Sequence, residues 1–326
     1  MGHTVEVPGI ALVLGAGGTV GHGFHAGVLG ALADHGWDAR RADVLVGTSA
    51  GSLVSSLLRA GMPASDLANR ATGAPLSPAG AAVVRRASLA TPGSRAMPSR
   101  QRASGRASSP ARLARALGAP WAVSPGSLAA ALLPAGRVPT EQLGAPFLAL
   151  FGSSWPEQPL WIVAVELDTG RRVVFGHQRI AGVSVGDAVR ASCAIPAFFE
   201  PIEIGGQRYV DGGVHSTTNA DLVAEQRPDL VLVSAPMSAA RGATGIAVDL
   251  PMRQFARRSL GREVAGLRAR GIPVVAFQPS AADLGVMRGD ALDPAKLAPV
   301  CAQVRESTNR RLDRADVAAR LRPLFA

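Results

Sequence analysis

Val44-Leu45-Val46-Gly47-Thr48-Ser49-Ala50-Gly51 decides how this chain is read. An apolar run typical of a buried strand ends in a glycine-flanked serine, and a helical pattern follows at once. Strand, sharp turn and helix are the setting of a G-x-S-x-G nucleophile elbow, where side chains two before and two after the serine would clash. Gly47 and Gly51 occupy both places. The five-residue pattern by itself says little. With 37 glycines in 326 residues, chance supplies it roughly 0.3 times, so its context carries the weight. Leu53, Val54, Leu57 and Leu58 form one apolar stripe at helical period, closed by Gly61 and Pro63. A helix beginning at Ala50 aims its unpaired N–H groups and positive dipole end at Ser49, where an oxyanion would be stabilised.

A second glycine turn lies upstream. Ile10-Ala11-Leu12-Val13-Leu14 reads as a short buried strand, followed by Gly15-Ala16-Gly17-Gly18-Thr19-Val20-Gly21 and a helix with the stripe Phe24, Val28, Leu29 and Leu32. This is also the layout of phosphate and dinucleotide loops. A phosphate loop would end in Gly-Lys-Ser/Thr, and Gly21-His22-Gly23 does not. A dinucleotide fold would place an acid at the tip of the second strand. Asp38 and Asp43 lie near that distance, but the second strand ends in the Ser49 turn. Bare N–H groups of a glycine loop serve an oxyanion as well as a phosphate. A candidate nucleophile on the adjacent strand favours the oxyanion.

The six histidines are His3, His22, His25, His35, His177 and His215. None has a distinctive triad setting. His22, His25 and His35 lie on or beside the first helix and read as surface or structural. His215 follows Asp211 by four residues in Tyr209-Val210-Asp211-Gly212-Gly213-Val214-His215. There, Asp-Gly-Gly forms a tight turn at a strand end that would expose one carboxylate, though Asp-Gly is also an ordinary turn signal.

Together, Gly15–Gly21, Gly47–Gly51 and Asp211-Gly212-Gly213 occur in an order and setting that resemble the bacterial branch of the patatin-like phospholipases. Ala188-Val189-Arg190-Ala191-Ser192-Cys193-Ala194-Ile195-Pro196 and Asn219-Ala220-Asp221-Leu222 add to the likeness, which is good over residues 10–60 and 160–235. The resemblance implies a three-layer α/β/α fold with a mostly parallel sheet. It implies a Ser–Asp dyad in which Ser49 is the nucleophile and Asp211 accepts its proton, without a histidine. Gly17 and Gly18 match the oxyanion-hole glycines, and the Ala50 N–H is a third candidate donor. Gly15, Gly21, Gly47, Gly51, Gly212 and Gly213 support these turns. Serine attack on an ester, an acyl-enzyme and its hydrolysis need neither metal nor cofactor. An aspartate is a weak base, so the site must raise its pKa or hold it close to the hydroxyl. Two positions depart from the family. Ala16 stands for a third glycine, a mild change if its φ is negative. Val20 stands for Lys or Arg, which removes a cation beside the loop and bears on phospholipid head-group preference more than on ester hydrolysis.

At 47% hydrophobic and 4% aromatic, the core is built from Ala, Leu and Val. The expectation is one domain over residues 7–326. Cys193 and Cys301 lie far apart, and Cys193 reads as a small buried hydrophobe. The N-terminus lacks the basic region of a signal peptide, and no apolar run approaches the ~18 residues of a membrane span. A cytoplasmic or peripheral protein is expected. The formal charge is +10, with no acid between Asp66 and Glu141 and ten arginines in that interval. Residues 73–140 therefore read as an Arg/Pro/Ser-rich insertion or lid, which would either meet an anionic membrane or be a solvated loop. Nothing resembles a nucleic-acid module, and no nucleic-acid partner is expected.

Further strands are expected at Leu160–Leu167, Val173–Phe175, Pro201–Ile204, Arg208–Val210, Leu230–Ser234 and Pro273–Phe277. Helices are expected at Ser184–Ala194, Met252–Arg270 and a C-terminal stretch from Leu297 to Leu321. A lipid acyl hydrolase is the leading reading. A non-hydrolytic lipid- or membrane-binding relative and a nucleotide-binding α/β protein using Gly15–Gly21 are the alternatives.

Overall fold

A computed structural model describes residues 9–89, 136–177, 180, 182–240, 242–243 and 250–324. Its centre is an eight-stranded sheet. The strands are β1 (Ile10–Leu14), β2 (Val44–Thr48), β3 (Leu160–Glu166), β4 (Arg172–Phe175), β5 (Ile202–Ile204), β6 (Gln207–Asp211), β7 (Leu230–Ser234) and β8 (Val274–Phe277), in the order β5-β6-β3-β2-β1-β7-β8 with β4 also paired to β3. The pairs β1–β2, β1–β7, β2–β3 and β7–β8 are parallel, whereas β3–β4, β3–β6 and β5–β6 are antiparallel. The parallel strands are the short uninterrupted Val/Leu runs, buried on both faces as such strands must be. The strands and their pairing agree with the expected mostly parallel sheet.

The helices are α1 (Gly18–Asp34), α2 (Ala50–Arg59), α3 (Ala64–Thr72), α4 (Pro78–Ser88), α5 (Glu141–Phe151), α6 (Val185–Ser192), α7 (Leu250–Ala269), α8 (Ala281–Met287), α9 (Leu297–Leu312) and α10 (Ala315–Arg320). Alternate strand residues feed two cores. Leu12, Leu14, Leu45 and Ile162 pack with Phe24 and Leu29 of α1, Leu57 and Leu58 of α2, and Val300 and Val304 of α9. Val13, Val46, Val163 and Val231 face the other way, against Leu260 and Leu267 of α7. The sheet is thus the middle of three layers. Close packing of α1 uses its small residues: a Cβ on Gly23 would sit 2.8 Å from the Leu297 carbonyl oxygen, and one on Gly27 would sit 2.7 Å from that of Cys301.

Two expectations change. The C-terminal stretch is not one helix: α9 ends at Leu312, Arg314 is extended, and α10 restarts at Ala315. Part of the stretch read as loop-like is the helix α4. Ser77 caps it by accepting the Gly80 N–H, and Pro78 occupies its first turn. Only Gly80 and Val83 of this helix are buried, so its Ala- and Arg-rich sequence shows no wide apolar stripe. Asp66 of α3 holds its start through the Ser77 N–H at 3.1 Å and hydroxyl at 2.5 Å. Residues 90–135, with Arg95, Arg100, Arg102, Arg106, Arg112 and Arg115, lie outside the described residues. Among the described residues, no helix is long and apolar enough to cross a membrane.

Candidate active site

Ser49 joins β2 to α2 with φ 54° and ψ −119°. A non-glycine residue there is strained by about 1–3 kcal/mol and persists only where its surroundings enforce it. The surroundings are visible. A Cβ on Gly51 would fall on the Leu14 carbonyl oxygen, and one on Gly47 would lie 2.6 Å from the Ser52 Cα. The two glycines therefore let β1, the turn and α2 crowd together. Ser49 itself is buried, and its N–H donates to Ser192 Oγ at 2.9 Å. Ser192 Oγ donates in turn to the Val163 carbonyl at 2.7 Å. One hydroxyl of α6 thus ties the elbow to β3.

Asp211 ends β6 opposite Ala164 of β3, one residue beyond Val163, which pairs with Thr48. The turn and the register bring the buried Asp211 carboxylate to the Ser49 hydroxyl. Burial pushes its pKa up to about 6, while the neighbouring Ser49 hydroxyl and the Gly213 N–H oppose that rise. Gly213 donates to Asp211 Oδ1 at 2.7 Å. A side chain on Gly212 would collide with the Val163 carbonyl, so glycine is needed where the turn passes β3.

The upstream loop is held from both ends. The Gly15 N–H donates to Ser234 O at 3.0 Å and the Ala16 N–H to Thr217 O at 2.7 Å. His25 sits beneath it with Nδ1 2.7 Å from Ser234 Oγ and Nε2 2.8 Å from Gly15 O. Since a carbonyl only accepts, Nε2 carries the proton, and burial lowers this histidine's pKa to about 3. It is the structural residue its sequence position suggests. Ala16 is absent from the left-handed residues, so its methyl is accommodated. Gly18 has φ +60° and opens α1. Among the described residues, nothing accepts from the N–H groups of Gly17, Gly18, Thr19 or Ala50. These are the unpaired donors expected at the starts of α1 and α2.

Ser49, Ala50 and Gly18 line a cavity of about 260 Å³ with Leu53, Leu143, Ile195, Phe199 and Leu297. Three further residues in its wall had no assigned role in the sequence. His22 is neutral at pH 7: burial, with Arg70 adding to it, lowers its pKa to about 4. Arg70 enters from α3. Cys193 caps α6, its thiol pushed up to about 12 by burial, with Sγ 3.7 Å from Ser52 Oγ. No local signal in the sequence brings a residue of α3 to this wall. His215 is not in it, and its charged neighbours are Arg172 and Asp221.

The chain after Asp211 is braced to the same place. Asn219, left-handed and buried, donates to Thr48 Oγ1 at 3.1 Å and Ser216 O at 2.7 Å. Arg172 donates to Asn219 Oδ1 at 3.3 Å and pairs with both oxygens of Asp221. Glu263 of α7 accepts from the hydroxyls of Ser216 and Thr218 and from the Ala220 N–H, and its burial holds its pKa above the usual carboxylate range.

The crystal structure of VipD from Legionella pneumophila aligns over 94% of this chain and 67% of its own, with 12% identity and a TM-score of 0.41. The family model for patatin-like phospholipase matches residues 160–224. That segment runs from β3 through Ser192 and the Asp211 turn to the Asn219 loop, and does not include Ser49. Over that segment the chain is similar to the patatin-like phospholipases.

Proposed function

We propose that this protein hydrolyses carboxylic esters of lipids through Ser49 and Asp211. The observation that carries the reading is a strained elbow serine beside a buried carboxylate whose pKa is raised. Asp211 takes the Ser49 proton as Oγ attacks the ester carbonyl. The tetrahedral oxyanion is stabilised by N–H groups of Gly17, Gly18 and Ala50, which have no other acceptor among the described residues. Collapse expels the alcohol, which leaves with the proton from Asp211, and the acyl group stays on Ser49. Water, deprotonated by Asp211, then releases the acid and restores the serine. A carboxylate near pKa 6 is a stronger base than an ordinary aspartate and is still ionised at neutral pH. His22 is the one histidine among the described residues of the cavity wall, but its depressed pKa makes it the weaker base.

The apolar wall suits an acyl chain. Peripheral contact with an anionic membrane belongs to the same proposal. It is supported by the charge of +10 and the acid-free interval from Asp66 to Glu141, and co-sedimentation with anionic vesicles at low salt tests it. The deciding experiment compares wild type with Ser49→Ala on a panel of lipids and p-nitrophenyl esters. We expect turnover to fall by at least ~10³-fold and labelling by a fluorophosphonate to vanish. Retention of most activity by the folded variant would end the proposal.

A further inference from the structure

Among the described side chains lining the Ser49 cavity, Arg70 alone carries a permanent charge. His22 is neutral at pH 7, and Thr19 spends its hydroxyl on the Leu292 carbonyl at 3.2 Å. Several other arginines of the fold have partners. Arg172 has Asp221, Arg190 has Glu141 and Asp187, Arg305 has Asp34, and Arg59 donates to the carbonyls of Arg40 and Ala42. Arg70 has no acceptor among the described residues. Asp66, one helical turn earlier, is turned instead to Ser77 and Asn69. The 74 residues from 67 to 140 contain no acid that could neutralise it. Arg70 lines the cavity while remaining exposed, with partial desolvation holding the guanidinium below its ordinary range, so it is accessible to an arriving anion.

We propose that Arg70 binds an anionic group, phosphate or carboxylate, on the amphiphile whose ester is presented to Ser49. The inference rests on the ester-hydrolase reading of this cavity. A guanidinium meets either anion with two parallel N–H bonds. The walls of Leu53, Leu143, Ile195, Phe199 and Leu297 take the hydrocarbon. One cation beside these apolar walls complements a molecule with one charged end and one greasy end. A neutral ester would leave the guanidinium to water.

The test uses monomeric substrates in matched pairs. Dihexanoylphosphatidate against dihexanoylglycerol reads a head-group phosphate, and p-nitrophenyl hemiglutarate against p-nitrophenyl butyrate reads a carboxylate on the acyl chain. Wild type should prefer the anionic member of at least one pair. Arg70→Gln should raise KM for that member about 10- to 100-fold with kcat changed much less, and the neutral member should suffer far less. Arg70→Lys should restore part of the loss. Arg257→Gln, an exposed charge on α7, controls for net charge and should leave the preference intact. The pair that responds identifies the anion's source. Equal losses on charged and neutral esters, no preference in wild type, or the same effect from Arg257→Gln would overturn the inference. Calorimetric titration of hexyl phosphate and of hexanoate into Ser49→Ala, with and without Arg70→Gln, needs no turnover. Binding lost only with Arg70 upholds the anion site even if esters prove not to be substrates, and binding that ignores Arg70 refutes it.

Discussion

Ser49 lies beside the buried carboxylate of Asp211 because their strands end on neighbouring residues of β3. The parallel strand β2 finishes with Thr48 beside Val163, and the antiparallel strand β6 finishes with Asp211 beside Ala164. Two turns thus leave the sheet at one point, one rich in donors and one carrying a base. Ser192 braces the point from α6 through Val163.

Under the proposed mechanism, Asp211 sets the acid limb of the pH profile. Its pKa is raised to about 6 by burial, and only the ionised form can take the serine proton. For a soluble ester, kcat/KM should be half-maximal near pH 6, level above it, and fall about tenfold per pH unit below. An acid limb centred near 4, the value for His22, would point to the histidine instead.

Asp211→Asn should remove activity and stabilise the fold at neutral pH. The folded carboxyl titrates near 6 against an ordinary value of 3.8. It therefore favours the folded state below about pH 4 and loses that contribution as pH rises through 6. Asparagine does not titrate. Thermal melts of variant and wild type should diverge between pH 4 and 7 in the variant's favour. A gap that is constant with pH would mean that the carboxyl is not perturbed.

Gly51→Ala should be among the most damaging single-methyl changes in the chain. Its methyl falls on the Leu14 carbonyl, a backbone atom that cannot swing away. Destabilisation above about 4 kcal/mol is expected. Gly36→Ala is the comparison: φ is +90° but the space is open, so only the left-handed penalty of about 1–2 kcal/mol applies. Denaturant titrations should rank the two in that order.

Ser192→Ala leaves the Ser49 N–H and the Val163 carbonyl without their shared partner. Two buried backbone groups are exposed to a desolvation cost of about 1–3 kcal/mol each. The elbow loses its tie to β3, so kcat on a soluble ester should drop by roughly tenfold or more while KM changes little. Ser192→Thr, which keeps the hydroxyl, should retain more of kcat. A variant matching wild type in both stability and kcat would remove Ser192 from the site's support.

Some of this was legible from residues alone, because it depends on near neighbours. The strand runs of β1, β2, β3 and β7, the helix after Ser49 and the glycines around it follow from spacing within a few positions. Steric crowding at a turn acts over the same range. The family likeness came from three such turns in order. The helix α4 and the break between α9 and α10 escaped, since a short Ala- and Arg-rich helix leaves little apolar rhythm and Arg314 carries no stop signal. What only the tertiary structure decided is which distant groups share one small space. The register on β3 joins Ser49 to Asp211, burial raises that carboxyl's pKa, and the packing of α3 brings Arg70 to the wall beside His22. Periodicity reports which face of an element is apolar. Contact between two turns, and the desolvation that tunes a base, arise only when strands far apart in the chain close on each other.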